Sequence, residues 1–172
     1  MIRVYRDEDL GRLKAITATC FEGVAIDKNI EERFGEIGGH DWRWRKLRHI
    51  DADVAGANAE GVFVWEDPED GTVAGYITGR ADAGSKIGWI PNLAVDPAYQ
   101  GRGVGRALID HLLGYFRECG MEVAKIETLE QNAVGSAFYP SFGFEVVARQ
   151  IHYAMRLWGA DGLSGPTTNG HE

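Results

Sequence analysis

The sequence predicts an α/β (α+β) domain in which one mixed sheet carries helices on both faces. The chain has 172 residues, which is about the size of one domain. Apolar residues with strand and helix periods follow one another in the order β-α-α-β-β-β-α-β-α-β-β. The composition, 44% hydrophobic and 26% charged, supports a packed core and argues against general disorder.

Each element is predicted from its apolar period and from the turn residues around it. The acidic run at 7–9 lies where a helix N-terminus favours negative charge, and Gly23 can end the helix that follows. Pro91 falls inside a strand and removes one ladder hydrogen bond, so we expect a bulge or a loss of pairing beside it. The predicted strands are 2–5, 61–65, 72–81, 87–95, 123–128, 144–149 and 151–157. The predicted helices are 10–20, 28–49 with a break near 38–39, 104 to just before Gly120, and 133–142, while 51–60 is predicted as a loop.

The charge and the cysteine count exclude several classes of protein. Lys and Arg total 18 against 26 Asp and Glu, so the net charge is −8. This argues against non-specific nucleic-acid binding and mildly favours a cationic partner. The two cysteines exclude a disulfide scaffold and a cysteine-rich zinc site, and the five histidines show no ligand spacing, so we expect no metal. No apolar run is long enough for a membrane helix and the acidic N-terminus does not resemble a signal peptide, so we expect a cytoplasmic protein.

The most informative segment is the glycine-rich turn between a strand and a helix, QGRGVG at 100–105. Glycines let a ligand approach the backbone, and the N–H groups at the start of the helix favour an anion such as phosphate. A P-loop would need Lys-Ser or Lys-Thr after the last glycine, whereas Arg106-Ala107 follows here. The spacing and late position also fit a dinucleotide fingerprint poorly. A helix start that merely needs flexible backbone is the plainer alternative.

Together with the preceding LAVDP at 93–97, this turn resembles the acetyl-CoA-binding motif Q/R-x-x-G-x-G/A of the GCN5-related N-acetyltransferases (the GNAT superfamily). The order of elements over 2–157 also resembles that family, whose sheet is mostly antiparallel. The resemblance implies a single domain over 1–158, with 159–172 left as a disordered tail. A second family motif is matched by Asn132, Gly135, Phe138, Tyr139, Gly143 and Phe144.

The resemblance implies that acetyl-CoA is the cofactor and indicates which residues hold it. The strand before the turn would bond the pantetheine arm, the turn would hold the pyrophosphate, and Asn132 would bond the arm. Tyr139 would lie near the thioester sulfur. The implied cofactor-binding residues are Leu93, Ala94, Val95, Gln100, Gly101, Arg102, Gly103, Val104, Gly105, Arg106, Asn132 and Tyr139.

Acetyl transfer to an amine needs a route for the amine proton, donors for the carbonyl oxygen and a donor for the leaving thiolate. A backbone N–H near Leu93 and the phenol of Tyr139 are predicted for the last two. Many relatives have a Glu on the strand before the glycine turn, but that strand here has no carboxylate. Glu127, five residues before Asn132, is the candidate base, because the branch that acetylates protein N-termini has a Glu at that offset. A strand Glu that faces solvent or pairs with Lys125 or an arginine, the weaker candidates Glu130 and Asp82, and proton removal by water stay open.

The predicted function is acetyl-CoA-dependent N-acetylation of a primary amine by direct attack in a ternary complex. The acceptor is a protein or peptide N-terminus or a small amine, with neither nucleic acid nor membrane as partner. A homodimer is a further expectation from the family. The interleaved aromatic and basic residues at 41–48 either line the acceptor pocket or are a packed helix with solvated arginines. The alternative function is a non-catalytic acyl-CoA-binding or regulatory module on the same fold.

Overall fold

Five strands form one sheet in the order β1-β2-β3-β4-β5. All neighbouring strands pair antiparallel except β4 and β5, which are parallel, so the predicted mixed and mostly antiparallel sheet is confirmed. The computed structural model describes residues 1–157, and the predicted tail at 159–172 lies outside the described residues. The strands are β1 Ile2–Val4, β2 Val62–Glu66, β3 Val73–Asp82, β4 Ile87–Val95 and β5 Val123–Ile126.

Five helices accompany the sheet in the described part of the chain. Local sequence begins and ends them: Asp41 accepts a hydrogen bond from the backbone N–H of Trp44 at the start of one helix, and Gly120 follows another with φ of 74°. None of the helices within 1–157 has the length and apolar character needed to cross a membrane. The helices are α1 Leu10–Cys20, α2 Ile26–Phe34, α3 Trp42–Asp53, α4 Val104–Glu118 and α5 Ala133–Phe138.

Each face of the sheet has its own apolar core. On one face, Leu13 and Ile16 of α1 and Ile50 of α3 pack against Val62, Val64 and Tyr76 of the sheet. On the other, Leu108 and Leu112 of α4 pack against Phe63, Ile77 and Ile90. Successive strand residues point to opposite faces, so β2, β3 and β4 contribute to both cores. This confirms helices on both faces of the sheet. The glycine turn follows the end of β4 and leads into α4 on one of these faces.

Pro91 produces the expected irregularity. Thr78 pairs with Asn92 and Arg80 pairs with Trp89, so one β3 residue lies opposite Ile90 and Pro91 of β4. This is a β-bulge, which bends the strand locally. On its other side β4 pairs with β5 only from Ile87 to Ile90, whereas its pairing with β3 continues to Val95. The last five residues of β4 are therefore open on the β5 side.

The structure corrects several predicted boundaries. Helix α3 continues to Asp53, so the predicted loop at 51–60 begins three residues later and is partly a 3-10 turn over Gly56–Gly61. The helix predicted over 133–142 is α only to Phe138 and continues as a 3-10 turn over Tyr139–Phe142. The predicted helical region at 28–49 does divide in two, with Gly35, Gly38 and Gly39 all at positive φ between the halves.

The strands predicted at 144–149 and 151–157 are wrong, since these residues form neither strand nor helix. Ile151, Tyr153 and Met155 alternate as predicted, but they are exposed and no backbone hydrogen bond within the described residues joins this segment to the outer edge of β5. Alternation specifies the two faces of a strand and not its partner. The contacts that hold the segment are made by side chains, from Arg149 to Glu130 and from Arg156 to the carbonyl of Phe34.

Candidate active site

The glycine turn joins the end of β4 to the start of α4. Gly101 and Gly103 have φ of 75° and 81°, a conformation that side chains with a Cβ adopt rarely. A Cβ on either glycine would meet no other heavy atom within 4 Å, so conformation rather than crowding calls for glycine at both. The space beside the turn is open to a ligand.

The backbone N–H groups of residues 101–106 donate to no protein acceptor within the described part of the chain. The first N–H after the turn to find a partner is that of Ala107, which donates to the carbonyl of Gly103 at 3.0 Å. Because the first N–H groups of a helix have no partner in the helix itself, they are free to bind an anion. The turn therefore presents a run of free donors at the positive end of α4.

Charged and polar side chains hold the turn from both sides. The Gln100 amide donates to the carbonyl of Val95 at 2.9 Å, and the Asp96 carboxylate accepts from the N–H of Ala98 at 2.8 Å and from Arg12 at 2.6 Å. The Ala98 hydrogen bond, together with Arg12, lowers the pKa of Asp96. The acidic group nearest the turn is thus tied to α1, which leaves the free N–H groups without a competing carboxylate.

Two arginines that the resemblance implies for cofactor binding, Arg102 and Arg106, flank the free donors. Arg102 lies 5.1 Å from the ring centroid of Tyr99. Arg106 lies 4.3 Å from that of Phe142 and donates to the Ser141 hydroxyl at 3.2 Å. Both guanidinium groups add positive charge beside the turn.

The open end of β4 presents further backbone donors. The N–H of Asn92 donates to the Thr78 hydroxyl at 3.0 Å, on the β3 side. Since successive N–H groups of a strand point to opposite edges, the N–H of Leu93 points to the β5 side, beyond the last β4–β5 pair. The carbonyl of Val95 is already engaged by Gln100 and by the thiol of Cys20, at 2.9 and 3.2 Å. The same alternation points the N–H of Val95 to the open edge, so Leu93 and Val95 both offer a backbone donor there, and Leu93 lies nearer to the last β4–β5 pair.

Helix α5 packs close to the turn, and its cap uses a predicted cofactor ligand. A Cβ on Gly105 would lie 3.3 Å from Phe138, so the close approach of α4 and α5 favours glycine there. The Asn132 side chain caps α5 by accepting from the Gly135 N–H at 3.0 Å and donates to the Thr128 hydroxyl at 2.8 Å. The structure thus gives Asn132 a structural role, and its contact with the cofactor stays a prediction.

Tyr139 follows α5 directly and lies among aromatic side chains. Its ring packs edge-on against Phe138 and Phe144, with centroids 5.8 and 6.2 Å away. Burial of the side chain raises the pKa of the phenol. The hydroxyl has no hydrogen-bond partner within residues 1–157, and it is not among their fully buried unpaired polar atoms, so it is open to a ligand. A neutral phenol with a free O–H suits a proton donor.

The candidate bases lie at the surface. Glu127 follows the last residue of β5, is more than half exposed and pairs with Lys125 at 2.7 Å, which is the alternative that the sequence left open. Glu130 is exposed and pairs with Arg149. Asp82 caps the β3–β4 turn, with its carboxylate bound to Ser85 and Gly84. Asp82 lies opposite Ile87 at the start of β4, the end away from the glycine turn, which makes it the weaker candidate.

Sequence reasoning missed a buried polar cluster that contacts β4 at the bulge. It consists of Lys46 and Asp53 of α3, Thr78 and Arg80 of β3, and Asn92 of β4; all but Arg80 are buried. Burial lowers the pKa of Lys46. Two features of the sequence could have indicated this cluster. Thr78 and Asn92 are polar residues within apolar strands, and Lys46 and Asp53 are charged residues seven positions apart on one helix.

The segment at 41–48 lies at the start of α3, a helix packed against the rest of the protein. A part in lining the acceptor pocket stays a prediction. Trp42 is buried, while Trp44 is exposed and stacks on His40 with centroids 3.7 Å apart.

The segment just before α5 is hydrogen-bonded to the early helical region. The Gln131 amide bonds the Asn29 amide at 2.9 Å and donates to the carbonyl of Gly23 at 3.0 Å. No group of three or more potential metal ligands occurs within residues 1–157.

Comparison with known proteins gives the same family as the motifs. The ribosomal protein bS18-alanine N-acetyltransferase of Escherichia coli (strain K12) is 38% identical over 82 residues, which are 47% of this chain and 47% of that protein. The mycothiol acetyltransferase of Propionibacterium freudenreichii is 30% identical over 157 residues, which are 87% of this chain and 44% of that protein. The chain spans about half the length of these curated relatives.

Solved structures show the same fold. The crystal structure of PH1933 from Pyrococcus horikoshii OT3 matches with a TM-score of 0.68 and 24% identity, covering 87% of this chain and 91% of that one. The family model described as "Acetyltransferase (GNAT) family" matches residues 24–144, which include the glycine turn, the open end of β4 and Tyr139. The chain therefore belongs to the GNAT acetyltransferase family.

Proposed function

We propose that this protein transfers an acetyl group from acetyl-CoA to a primary amine by direct attack in a ternary complex. The observation that carries the proposal is the run of free backbone N–H groups at 101–106, placed where β4 and β5 have separated. A diphosphate needs several convergent donors, and an extended thioester arm needs an open strand edge. The end of β4 offers both within a few residues.

The residues present fit coenzyme A. Open space beside Gly101 and Gly103 leaves room for phosphate groups, and Arg102 and Arg106 add charge at the rim. When bound, acetyl-CoA would supply a thioester carbonyl for the amine to attack. Its arm would lie along the open edge of β4, beside the outward N–H of Leu93.

Leu93 and Tyr139 would stabilise the charge that develops during transfer. The N–H of Leu93 would donate to the carbonyl oxygen, a role in which a fixed backbone donor needs little reorganisation. The Tyr139 phenol would donate to the leaving thiolate, and its raised pKa keeps the proton on the oxygen at neutral pH. Support for this role is the unpartnered hydroxyl at the start of the turn after α5.

Glu127 would take the proton from the acceptor amine, directly or through water. An amine of the lysine type has a pKa of about 10.4 and must lose a proton before it attacks. The carboxylate is accessible, and Lys125 holds it at 2.7 Å just beyond the last β5 residue.

The acceptor would be a peptide or protein N-terminus. The relatives from Escherichia coli and Mycobacterium tuberculosis are named for ribosomal protein alanine N-acetylation and N-alpha-acetylation, and their similarity to this chain supports that choice. The net charge of −8 favours a cationic acceptor. A small amine is the competing class of acceptor, since another similar protein is named for the acetylation of mycothiol, a small molecule.

An acceptor screen tests the proposal. Release of free CoA from acetyl-CoA is measured with peptides that carry a free N-terminal amine, with the same peptides blocked at that amine, and with small diamines. Turnover of the free peptides alone supports N-terminal acetylation, and turnover of the diamines alone moves the acceptor to small molecules. Tight binding of acetyl-CoA without any turnover would contradict the proposed activity and favour a non-catalytic acyl-CoA-binding module.

Matched variants separate a catalytic Glu127 from a structural ion pair. Glu127→Gln removes the base, whereas Lys125→Met breaks the same ion pair and keeps the carboxylate. We expect kcat to fall at least tenfold in Glu127→Gln and to change less than threefold in Lys125→Met. Equal losses in both variants would show that the pair, and not the base, matters.

A further inference from the structure

The buried polar cluster holds Asn92 from three directions. Its side-chain carbonyl accepts from the Lys46 ammonium at 2.7 Å, and its amide donates to the Asp53 carboxylate at 2.6 Å. Its backbone N–H donates to the Thr78 hydroxyl, which in turn donates to Asp53 at 3.0 Å. Every polar group of Asn92 on this face is therefore tied to α3 or β3.

Asp53 is the centre of the cluster. Besides Asn92 and Thr78, it accepts from Arg80 at 2.6 Å, so one carboxylate meets three donors. Asp53 is 3% exposed and Asn92 is 4% exposed, which leaves no room for a ligand between them. Hydrogen-bonded buried polar groups restrict a structure to one arrangement, and within the described residues the Arg80 Nε is the cluster atom that is buried without a partner. The cluster is thus a rigid interior connection rather than a binding site.

This connection ends one residue before the free donor of the active site. The β-bulge at Ile90 and Pro91 removes regular pairing just before Asn92, and β5 no longer supports the strand beyond Ile90. With support lost on the β5 side, the orientation of the Leu93 N–H depends on the pairing with Ile77 of β3 and on how firmly Asn92 is held. A donor for a developing charge is most effective when its direction is fixed in advance.

We infer that Asp53, Thr78 and Lys46 are positioning residues for acetyl transfer, because they fix Asn92 and through it the direction of the Leu93 N–H. The inference rests on the proposed function, in which Leu93 donates to the thioester carbonyl. It assigns to α3 and β3 a part in the rate of the chemical step. The binding of coenzyme A at 101–106 does not depend on this cluster.

Thr78 offers the most direct test, since one substitution at this position removes the side-chain hydroxyl and another keeps it. Thr78→Val keeps the side-chain shape and removes the hydroxyl, whereas Thr78→Ser restores the hydroxyl. We expect kcat to fall at least tenfold in Thr78→Val and to stay within threefold of wild type in Thr78→Ser. The dissociation constant for CoA should stay within twofold in both, because their 101–106 donors are unchanged.

A second variant and a control on α1 separate positioning from general stability. Lys46→Met keeps a long apolar side chain and removes the ammonium, which lies 4.1 Å from the ring centroid of Phe21 and bonds Asn92. Lys14→Met removes an equivalent ammonium from the 2.6 Å ion pair with Asp51, which joins α1 to α3 without contacting β4. We expect kcat to fall at least fivefold in Lys46→Met and less than twofold in Lys14→Met, with kcat measured well below each melting temperature.

The amide resonance of Leu93 gives a readout that needs no turnover. In ¹⁵N spectra of the free protein, Thr78→Val and Lys46→Met should shift the Leu93 resonance, and Thr78→Ser and Lys14→Met should not. Wild-type turnover together with unchanged kcat and Leu93 resonance in Thr78→Val would overturn the inference and leave the proposed function standing. Absence of wild-type turnover would contradict the proposed function, and the resonance would still decide whether the cluster positions Leu93.

Discussion

Ile90 of β4 and Ile126 of β5 form the last pair before the two strands separate. Their separation follows from the sequence, because Pro91 comes next and the bulge it forms bends β4. The open edge that results leads directly into the free N–H groups of the glycine turn. The β-bulge in β4 thus places an open strand edge, along which an extended ligand can lie, beside the N–H groups that can bind its phosphates.

Gly103→Asp should weaken the binding of CoA at least tenfold. The aspartate puts negative charge at the start of α4 and a side chain where φ is 81°. Isothermal calorimetry with CoA measures the change. Gly103→Ala is the matched control for strain, because it adds a Cβ without charge, and its loss of affinity should be smaller. Unchanged affinity in Gly103→Asp would remove the turn from the site.

Tyr139→Phe should lower kcat at least tenfold and leave the affinity for CoA within twofold. The substitution keeps the ring packing against Phe138 and Phe144 and removes only the hydroxyl. Tyr115→Phe on α4 is the matched control, since it removes a phenol from the β2 side of the helix. Full kcat in Tyr139→Phe would exclude Tyr139 as the acid.

The activity of the wild type should not depend on ionisation of Tyr139 below about pH 10. Burial raises the pKa of this phenol, so the proton is retained beyond the ordinary titration range of tyrosine. A profile of kcat against pH checks this. A decline centred below about pH 9, roughly one unit under the ordinary tyrosine value, that disappears in Tyr139→Phe would contradict it.

Gly88→Ala should destabilise the fold by about 1–3 kcal/mol through overpacking. A Cβ at this position would lie 2.5 Å from the ring of Phe116, which α4 presses against the sheet. Urea unfolding measures the free energy. Gly114→Ala is the control on α4, the helix of Phe116. No heavy atom lies within 4 Å of its added Cβ, so this substitution should be neutral or stabilising. Equal stability of Gly88→Ala and wild type would contradict the packing of α4 on β4.

Asp96 should contribute stability at neutral pH that is lost in acid. The N–H of Ala98 and then Arg12 lower its folded-state pKa. A carboxyl with a depressed folded pKa contributes its full stability above the unfolded pKa and loses that contribution as the pH falls through the folded pKa, which lies below the ordinary aspartate value. Unfolding free energies at pH 7 and pH 3 should therefore differ less in Asp96→Asn than in wild type. An identical pH dependence would contradict the ion pair with Arg12.

Local signals predicted the parts of the molecule that local chemistry determines. The bulge at Pro91 and the start of α4 at Gly103 depend on the residues themselves, and both are confirmed. The strand period at Ile151–Leu157 is equally local, but a strand also needs a partner edge, and the segment has none among the described residues.

The polar cluster was unreadable in the sequence because its members are distant from one another in the chain. Lys46 and Asn92 are 46 residues apart, and only the packing of α3 on the sheet brings them within 2.7 Å. Glu127 shows the opposite case. Pairing with Lys125 is one of the alternatives that the sequence leaves open for this residue, because alternate residues of a strand lie on one face, and the structure has that pair.

A titration with CoA, followed through the backbone ¹⁵N resonances of residues 101–106, tests the central claim most directly. Pantetheine, which lacks the diphosphate, is the control ligand. We predict that CoA shifts these six resonances together with one dissociation constant and that pantetheine shifts only those of the β4 edge. If CoA binds while the 101–106 resonances stay in place, its phosphates lie elsewhere, and the proposed active site is wrong.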